Sequence, residues 1–311
     1  MNIKLKELPE RNEIITAGHR MCAGCGAPIA ANEILLSAPQ DTRFVVSSST
    51  GCMQVSTCLY PFVSWKASFI HSSFENGPAT LSGIETAYNA LRARGKVRDN
   101  FHFVNFAGDG GTYDIGLQAL SGALERGHRM LMVCYNNEAY MNTGTQCSGA
   151  TPYGSWSSTS PYGECSFGKE RNRKDLTAIV AAHNIPYVAQ ASIHNYRDTV
   201  MKAQKAFAVN GPSFINIIAP CPRGWRFPGE KTVEMARLSF ETCIWPLYEV
   251  VEGKWKLTAK PKVKKPIEDY IKLQGRFQHL FKPEFEDRLA LIQSEVDEQW
   301  SKLLLRCGET E

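Results

Sequence analysis

Long hydrophobic runs are absent from this sequence. No run of about 18 apolar residues, the length that crosses a membrane as a helix, occurs anywhere, and residues 1–15 have no apolar core of signal-peptide length. We therefore expect no membrane association and a location in the cytoplasm.

A strong charge of one sign is absent too. The formal net charge is +4, and the basic residues are scattered along the chain rather than gathered into a stripe with interleaved aromatics. Nucleic-acid-binding proteins present such a stripe, so nucleic acid is not an expected partner. Internal repeats and low-complexity tracts are also lacking, which leaves an ordinary globular protein.

The sequence does contain enough apolar material for a large core, because 43% of its 311 residues are hydrophobic. It also contains ten cysteines. In the cytoplasm these would be kept reduced, so metal ligation or simple burial is expected in place of disulfides.

Short β-rich runs alternate with helical stretches between residues 41 and 220, which is typical of an α/β fold with a mostly parallel sheet and helices on both faces. The clearest strands, residues 102–107 and 130–135, are almost continuously apolar, as expected for strands buried on both faces. Between them Asp114 is predicted to cap a helix that ends at Gly127. Further elements are predicted as helices at 174–183 and 195–210 and as a strand at 214–218.

Two other segments depart from this alternation. Residues 142–168 are rich in Ser, Thr, Gly, Pro and aromatics with little periodicity, which predicts a long, ordered loop with a functional role. We expect one domain at residues 1–240 and a C-terminal extension at 241–311. The extension would consist of an exposed basic arm or solvated linker, with six lysines in residues 254–266, and an amphipathic helix. The helix has one apolar stripe, which must pack on this chain or on another, formed by Leu289, Ile292, Val296, Trp300 and Leu303.

Polar residues follow two neighbouring predicted strands. Gly108-Asp109-Gly110 comes directly after the first strand, and Asn136-Asn137 ends the second. An acid and an amide at the carboxyl ends of adjacent parallel strands lie in the crevice where open α/β sheets bind ligands. The carboxylate of Asp109, the amide oxygen of Asn137 and a backbone carbonyl are suitable Mg²⁺ ligands beside two phosphate oxygens, and the glycines let the backbone approach those phosphates.

Other interpretations of this motif fit less well. A dinucleotide fingerprint needs a third glycine at the position of Tyr113, and a P-loop needs a Gly-Lys-Ser/Thr ending, which is absent. Gly-Asp-Gly alone also suits a structural turn. The 25 residues at positions 111–135 and the Asn-Asn that follows complete the spacing of a thiamine diphosphate signature, which we therefore predict.

A second candidate site is formed by cysteines. Cys22 and Cys25 form a CxxC pair with nearby glycines, which suits a zinc site, a redox dithiol or half of an iron-sulfur cluster. A thioredoxin-like dithiol fits poorly, because the pair does not lie between a strand and a helix. Cys52 and Cys221 follow predicted strands in glycine or proline contexts and are the candidates for two further ligands. Four thiolates suit a [4Fe-4S] cluster, with a zinc site as the alternative. No ligand role is expected for Cys58, Cys134, Cys147, Cys165, Cys243 and Cys307.

Several long motifs in fixed order carry a family resemblance: HRMCAGCGAP, STGCMQVSTCLYPFVSWK, HSSFENGPAT, GDGGTYDIGLQALSGALERGH, YNNEAYMNTG, ATPYGSWSSTSP and GPSFINIIAPCPRGW. Across residues 15–225 the chain resembles the β subunit of pyruvate:ferredoxin oxidoreductase and its sibling 2-oxoacid:ferredoxin oxidoreductases, including oxalate oxidoreductase. The resemblance implies a thiamine-diphosphate-binding fold. It also implies oxidative cleavage of a small 2-oxo acid, with release of CO2 and one-electron transfer to ferredoxin.

The resemblance also implies roles for residues. The [4Fe-4S] ligands would be Cys22, Cys25, Cys52 and Cys221. The Mg²⁺ ligands would be Asp109, Asn137 and the carbonyl of Ala139. Asn142 matches the catalytic polar residue beside the reactive thiazolium carbon, where its amide would hydrogen-bond substrate oxygens. Cofactor-binding positions would be Gly51, Gly108, Asp109, Gly110, Asn137 and Asn142.

The chain departs from the family pattern at four positions near these motifs. They are Gln54, Cys58, Cys147 and Gly149, where pyruvate-type chains are expected to have Glu, Thr, a basic or polar residue, and Ser. These departures leave pyruvate and oxalate both open as the substrate. Coenzyme A would receive the acyl group if the substrate is pyruvate.

No acid in the matched motifs supplies the carboxylate that activates the aminopyrimidine ring of thiamine. In the family this glutamate comes from another domain or subunit, so the resemblance implies an α subunit that completes the site, a ferredoxin-like cluster-bearing subunit, and ferredoxin. We expect the cofactor-side loops, together with the apolar stripe, to form a large interface with that partner. If the chain were active alone, Glu75 and Glu138 would be the internal glutamates to examine. The alternatives are a non-oxidative thiamine decarboxylase and a non-catalytic electron-transfer or zinc-stapled structural subunit.

Overall fold

The computed structural model describes residues 5–11, 13–164 and 166–310. Eight strands form one sheet: β1 Arg43–Ser49, β2 Ser68–Ser72, β3 Phe101–Gly108, β4 Met130–Asn136, β7 Tyr187–Ser192, β8 Ser213–Ile218, β9 Leu247–Val251 and β10 Lys254–Ala259. A separate hairpin pairs β5 Tyr162–Gly163 with β6 Ser166–Phe167.

The strand order in the large sheet is β10-β9-β7-β8-β4-β3-β1-β2. All neighbours from β7 to β2 pair in parallel, whereas β9 and β10 are antiparallel additions at one edge. The predicted mostly parallel sheet is therefore confirmed.

Helices cover both faces of this sheet, as predicted. Their bounds are α1 Gly26–Leu35, α2 Cys52–Thr57, α3 Gly77–Ala93, α4 Leu117–Glu125, α5 Leu176–Ala181, α6 Tyr196–Ala208, α7 Pro222–Trp225, α8 Thr232–Glu241, α9 Glu268–Ile271 and α10 Glu286–Cys307. Along β4, Met132 and Cys134 pack into one core with α4, α5 and α10, while Leu131 and Val133 pack into a second core with α1 and α6. Because side chains of a strand alternate between faces, the near-continuous apolar sequence of β4 fills both cores.

The prediction that Asp114 caps the helix after β3 was wrong. Residues Gly110–Asp114 form a π turn, and α4 begins two residues beyond Ile115 with Gly116 at its N-cap. The turn brings Gly116 against the carbonyl of Gly111, where a Cβ would lie only 2.0 Å from that oxygen. Asp114 instead accepts a hydrogen bond from the backbone N–H of Gly149 at 2.8 Å.

The long loop at 142–168 is anchored by backbone hydrogen bonds in its described part. The N–H of Gly154 donates to the carbonyl of Lys169 at 2.8 Å, and the N–H of Trp156 donates to the carbonyl of Arg276 at 2.9 Å. The buried ammonium of Lys169 donates to the carbonyls of Ser148 and Thr151. The loop is thus tied both to its own ends and to the C-terminal part of the chain.

The C-terminal segment differs from the predicted arm. Residues 254–259 are strand β10, whose Trp255 stacks on Tyr248 of β9 with ring centroids 5.4 Å apart. The predicted basic arm or linker was therefore wrong for these residues, because the alternating Trp255 and Leu257 pack inward while the intervening lysines face out. The division of the chain after residue 240 stays a prediction.

The apolar stripe of α10 packs on this chain. Ile292, Val296, Trp300 and Leu303 are each at most 7% exposed and belong to the same core as β4, with Leu289 packed against it. The prediction that this stripe contributes to a partner interface was wrong, because its surface is already used to cover the sheet. In the described part of the chain, no helix combines the length and apolarity needed to span a membrane.

Candidate cofactor site

The ends of β3 and β4 bring the predicted acid and amide together. The two strands pair in parallel up to Gly108 and Tyr135, so Asp109 and Asn137 leave the sheet at the same edge. Both are buried, and the backbone N–H of Asn137 donates to Oδ1 of Asp109 at 3.2 Å. Adjacent strand ends therefore bring a carboxylate and an amide together at one buried point.

Three oxygen-bearing groups converge at this point. The amide of Asn137 has two orientations related by a half-turn. In one its nitrogen donates to the carbonyl of Ala139 at 2.8 Å and to Oδ1 of Asp109 at 2.9 Å; in the other its oxygen faces the same two acceptors. The second orientation places carboxylate, amide and carbonyl oxygens around one point, which is the set of donors that a hard cation binds.

The carboxyl group of Asp109 has an unusual environment. Burial raises the pKa of Asp109 to about 7, while hydrogen bonds from the hydroxyl of Ser148 at 2.5 Å and from the N–H of Asn137 oppose that rise. Burial therefore disfavours the charged form of this carboxyl. A cation beside it would favour the charged form.

A cleft opens beside these groups, and it is lined by all six predicted cofactor-binding residues and by the predicted Mg²⁺ ligand Ala139. They are Gly51, Gly108, Asp109, Gly110, Asn137, Ala139 and Asn142. The glycines are required by close contacts: a Cβ on Gly110 would lie 2.2 Å from the ring of Tyr140, and one on Gly51 would lie 2.7 Å from the hydroxyl of Tyr135. Asn142 is exposed at the cleft. Tyr135, with its buried hydroxyl, also lines the cleft and was missed, because in the sequence it looks like one more apolar strand residue.

The four predicted cluster cysteines come from three separate parts of the fold. Cys22 and Cys25 precede α1, with the N–H of Cys25 donating to the carbonyl of Cys22 at 3.0 Å. Cys52 is the first residue of α2 and lines the cleft, and Cys221 is the N-cap of α7, where its Sγ accepts a hydrogen bond from the N–H of Gly224 at 3.3 Å.

These thiols lie close enough to influence one another. The pKa of both Cys25 and Cys52 is raised to about 12, mainly by burial, with smaller contributions from the neighbouring thiols of Cys221 and Cys22. The pKa of Cys221 is raised by burial and by Cys22, against backbone N–H groups and the positive charge of Arg276, which lower it. Glycine permits this assembly, since a Cβ on Gly26 would lie 2.8 Å from the backbone of Ala219, two residues before Cys221.

No three histidine, cysteine or acidic side chains in the described residues lie close enough to hold a single metal ion. Among the other cysteines, Cys134 and Cys243 are buried, whereas Cys58, Cys147 and Cys307 are partly exposed. The side chain of Cys58 accepts a hydrogen bond from Gln54. The prediction for Cys165 lies outside the described residues.

A parallel sheet whose adjacent strands end in Gly-Asp-Gly and Asn-Asn, with a glycine-lined cleft between them, defines a thiamine-diphosphate-binding protein. The family described as "Thiamine pyrophosphate enzyme, C-terminal TPP binding domain" matches residues 49–217, which include both strand ends and the cleft. A solved 2-oxoglutarate:ferredoxin oxidoreductase from Magnetococcus marinus shares the fold, with a TM-score of 0.55 at 20% identity over 73% of this chain and 78% of that chain.

More similar relatives show to which family of thiamine-diphosphate-binding proteins the chain belongs. The chain is 46% identical to pyruvate synthase subunit PorB of Thermotoga maritima, over 98% of this chain and 96% of that protein. It is 45% identical to ketoisovalerate oxidoreductase subunit VorB of Pyrococcus abyssi, over 92% of this chain and 91% of that protein. The chain therefore belongs to the family of 2-oxoacid:ferredoxin oxidoreductase subunits that includes pyruvate synthase subunit PorB.

Proposed function

We propose that this chain is the β subunit that binds both thiamine diphosphate with Mg²⁺ and a [4Fe-4S] cluster, in an enzyme that oxidatively cleaves pyruvate or oxalate. The observation that carries the proposal is the convergence of the Asp109 carboxylate, the side-chain amide of Asn137 and the carbonyl of Ala139 beside a cleft that Cys52 also lines. An electron acceptor held by Cys52 would lie next to the cofactor.

The donor set at the strand ends fits Mg²⁺. Asp109, the amide oxygen of Asn137 and the carbonyl of Ala139 would hold the ion, which would also bind the diphosphate. A half-turn of the Asn137 amide would direct its oxygen at a bound Mg²⁺, and the ion would keep Asp109 ionised despite its burial. The glycines of the cleft would let backbone N–H groups approach the phosphate oxygens.

The placement of Mg²⁺ and the diphosphate indicates which residues would face the substrate at the open side of the cleft. Thiamine diphosphate, when bound, supplies the electron sink for cleavage of the 2-oxo acid. Asn142, exposed at the cleft, would hydrogen-bond the substrate oxygens. The buried hydroxyl of Tyr135 beside Gly51 would help to exclude water from the cofactor.

The family resemblance favours a cluster over zinc at the four cysteines. Cys22, Cys25, Cys52 and Cys221 lie close enough to influence one another's pKa values, and four thiolates are the usual ligands of a [4Fe-4S] cluster. Four thiolates also suit zinc, so the absorption spectrum decides between the two.

The surroundings of the two candidate glutamates support the need for a partner subunit. Glu138 is 1% exposed and forms ion pairs with Arg276 and Arg173, so it is not available to thiamine. Glu75 is exposed on the surface. The activating carboxylate would therefore come from an α subunit, and electrons would leave through a ferredoxin-like cluster-bearing subunit to ferredoxin.

An exposed apolar segment of the chain supports the same conclusion. It follows Cys52 along the chain and consists of Val55, Leu59, Tyr60, Phe62 and Val63, which we call the 55–63 patch. Tyr60 is 88% exposed and Phe62 67% exposed. Neighbouring apolar side chains with this exposure are typical of a protein–protein interface, and we assign this one to the α subunit.

The proposal is tested on the complex purified with its partner subunits. A broad brown absorption that dithionite bleaches is expected, together with viologen reduction that depends on pyruvate and coenzyme A or on oxalate. The branched 2-oxo acid of the ketoisovalerate relative serves as a third substrate. A colourless zinc protein would overturn the cluster assignment, and CO2 release without dye reduction would indicate a non-oxidative decarboxylase.

Cysteine variants test the ligand set. Replacing Cys22, Cys25, Cys52 or Cys221 with Ala is expected to lower the iron content sharply and to destabilise the chain, because cluster binding and folding are coupled. The matched changes Cys134→Ala and Cys307→Ala should leave iron unchanged. Loss of iron from either control would show that the wrong four cysteines were chosen.

A further inference from the structure

Glu138 occupies an unusual position between two of the proposed Mg²⁺ ligands, Asn137 and Ala139. Its φ is +65°, in the left-handed region that is unfavourable for residues other than glycine. The backbone is held there from both sides: its N–H donates to Oδ1 of Asn136 at 3.0 Å, and its carbonyl accepts from the hydroxyl of Thr151 at 2.7 Å. The side chain points into the protein and is 1% exposed.

The buried carboxylate of Glu138 is held mainly by Arg276. The guanidinium of Arg276, whose side chain is 2% exposed, contacts Oε2 of Glu138 at 2.5 Å and donates from Nε to Gln274 at 2.9 Å. Arg173 contacts the other carboxylate oxygen at 3.3 Å, but its side chain is 24% exposed and also binds the carbonyl of Ile244. The fully buried, shorter contact is the one to Arg276.

Arg276 also supports the neighbouring ligand through Trp225. Its guanidinium carbon lies 4.2 Å from the centroid of the Trp225 ring. The indole Nε1 of Trp225 donates to the carbonyl of Asn137 at 2.7 Å, and its backbone N–H donates to the carbonyl of Cys221 at 2.9 Å. One side chain therefore supports Glu138 directly and Asn137 through one intermediate residue.

We propose that Arg276, from the segment beyond residue 240, is a positioning residue for the metal: it holds residues 137–139 in the conformation that aims their oxygens at Mg²⁺. The inference rests on the proposed function, because it takes Asn137 and Ala139 as ligands. Arg276 touches neither the metal nor the cofactor; it acts by fixing a strained backbone turn. The C-terminal segment then contributes to the site as well as to the core.

The test measures Mn²⁺ binding, with Mn²⁺ as a paramagnetic substitute for Mg²⁺, to the assembled complex in the presence of thiamine diphosphate. The loss of the free-ion electron paramagnetic resonance signal gives the dissociation constant. For Arg276→Met we expect binding to weaken about 10- to 100-fold, the range typical of residues that orient metal ligands. Arg276→Lys keeps the charge and should weaken binding less. The matched control Arg237→Met, at a half-exposed arginine of α8, should bind as the wild type does.

A second variant separates positioning from stability. Arg276→Met leaves the carboxylate of Glu138 without its main buried partner, which destabilises the fold by itself. The double variant Glu138→Gln/Arg276→Met removes that unpaired charge and should regain thermal stability, yet its Mn²⁺ affinity should stay low. Wild-type affinity in the double variant would overturn the inference and leave Arg276 a purely structural residue.

The variant Asp109→Ala distinguishes failure of this inference from failure of the proposed function. If Asp109→Ala abolishes the Mn²⁺ site while the Arg276 variants bind normally, the metal site stands and only the role of Arg276 is wrong. If Asp109→Ala also binds normally, the metal site itself has been misplaced. The apparent KM for Mg²⁺ should rise in Arg276→Lys with kcat at saturating Mg²⁺ nearly unchanged.

Discussion

At the scale of single residues, burial raises the pKa values of two carboxyl groups that lie in different surroundings. Asp109 lies where ligand oxygens converge, and Glu33 lies between α1 and α6 with its Oε2 buried and lacking a hydrogen-bond partner in the described structure. A raised pKa alone does not separate a binding site from the core. The difference lies in the surrounding groups. Of the two carboxyl groups, only Asp109 lines a cleft, which it shares with several glycines and the side-chain amide of Asn137.

Replacing Asp109 with Ala removes one of the three converging oxygens. We expect Mg²⁺-dependent affinity for thiamine diphosphate to fall at least about tenfold, while iron content stays unchanged, because the thiols lie on other segments. Isothermal titration calorimetry and an iron assay on the same preparation measure both effects. Asp99→Ala, at an exposed residue paired with Arg43, is the control. Normal cofactor affinity in Asp109→Ala would contradict the assignment.

Glu33 predicts how stability depends on pH. Burial raises its pKa to about 8, against a hydrogen bond with Thr199 that lowers it. Since the folded pKa exceeds the unfolded one, the protonated group favours folding: this contribution is complete below about pH 4.5 and is lost as the pH rises through 8. Glu33→Gln mimics the protonated form. It should be more stable than the wild type at pH 9 by up to about 5 kcal/mol, because each pKa unit between 4.5 and about 8 corresponds to about 1.4 kcal/mol.

Urea unfolding of the full chain at pH 5 and pH 9 checks this expectation. The advantage of Glu33→Gln should be small at pH 5 and large at pH 9, whereas Glu125→Gln, at an exposed position on α4, should show no such trend. An equal effect of Glu33→Gln at both pH values would mean that Glu33 does not titrate with the folded state.

At the scale of elements, α10 belongs to the core of this chain. Trp300 is 7% exposed and packs with Val296 and Ile292 on the face of the sheet that α4 also covers. Trp300→Ala is expected to lower the free energy of unfolding by about 3–5 kcal/mol, the usual cost of a large cavity. Leu305→Ala, on the same helix but 79% exposed, should change it by less than about 0.5 kcal/mol. If the Trp300→Ala chain folds stably but fails to assemble with its partner, the apolar stripe of α10 would have to be assigned to the interface after all.

The central strands and the residues at their ends could be predicted, because the sequence patterns that identify them span only a few neighbouring residues. The apolar runs of β3 and β4 fill two cores at once, and Asp109 and Asn137 follow those runs directly, so strand position and site position come from the same few residues. The family resemblance then implied that this acid and this amide are ligands of Mg²⁺. The positions of Cys52 and Cys221 shortly after strands were predictable for the same reason, whereas their role as cluster ligands stays a prediction.

Features that depend on distant contacts were not predictable. The π turn before α4 follows from the approach of Gly116 to Gly111, which the alternation of apolar residues does not reveal. The contact between Arg276 and Glu138 joins residues 138 positions apart. In β10 the alternation of Trp255 and Leu257 was outweighed by the lysines between and after them, which made a strand look like a solvated arm.

At the scale of the whole molecule, the 55–63 patch predicts an assembly surface. The double change Tyr60→Ser/Phe62→Ser removes its two most exposed rings. The chain should still fold and keep its iron, but association with the α subunit should weaken, because such rings contribute much of the binding energy of an interface. Size-exclusion chromatography with light scattering measures the assembly.

Tyr196→Ser, at a 46% exposed tyrosine on α6, is the matched control. If the double variant assembles normally, the α subunit must bind a surface other than the 55–63 patch. Two-oxo-acid-dependent dye reduction by the isolated chain, at a rate comparable to that of the complex, would contradict the shared site altogether.

Strand β10 forms one open edge of the large sheet, and its composition bears on solubility. An unpaired edge offers free N–H and C=O groups to any other extended chain, and lysines on an edge strand discourage such pairing. Lys254 and Lys256 are exposed on β10, and Lys260 follows it. Neutralising the three lysines together would therefore be expected to promote sheet-to-sheet aggregation of the folded protein, a fate that the basic run protects against.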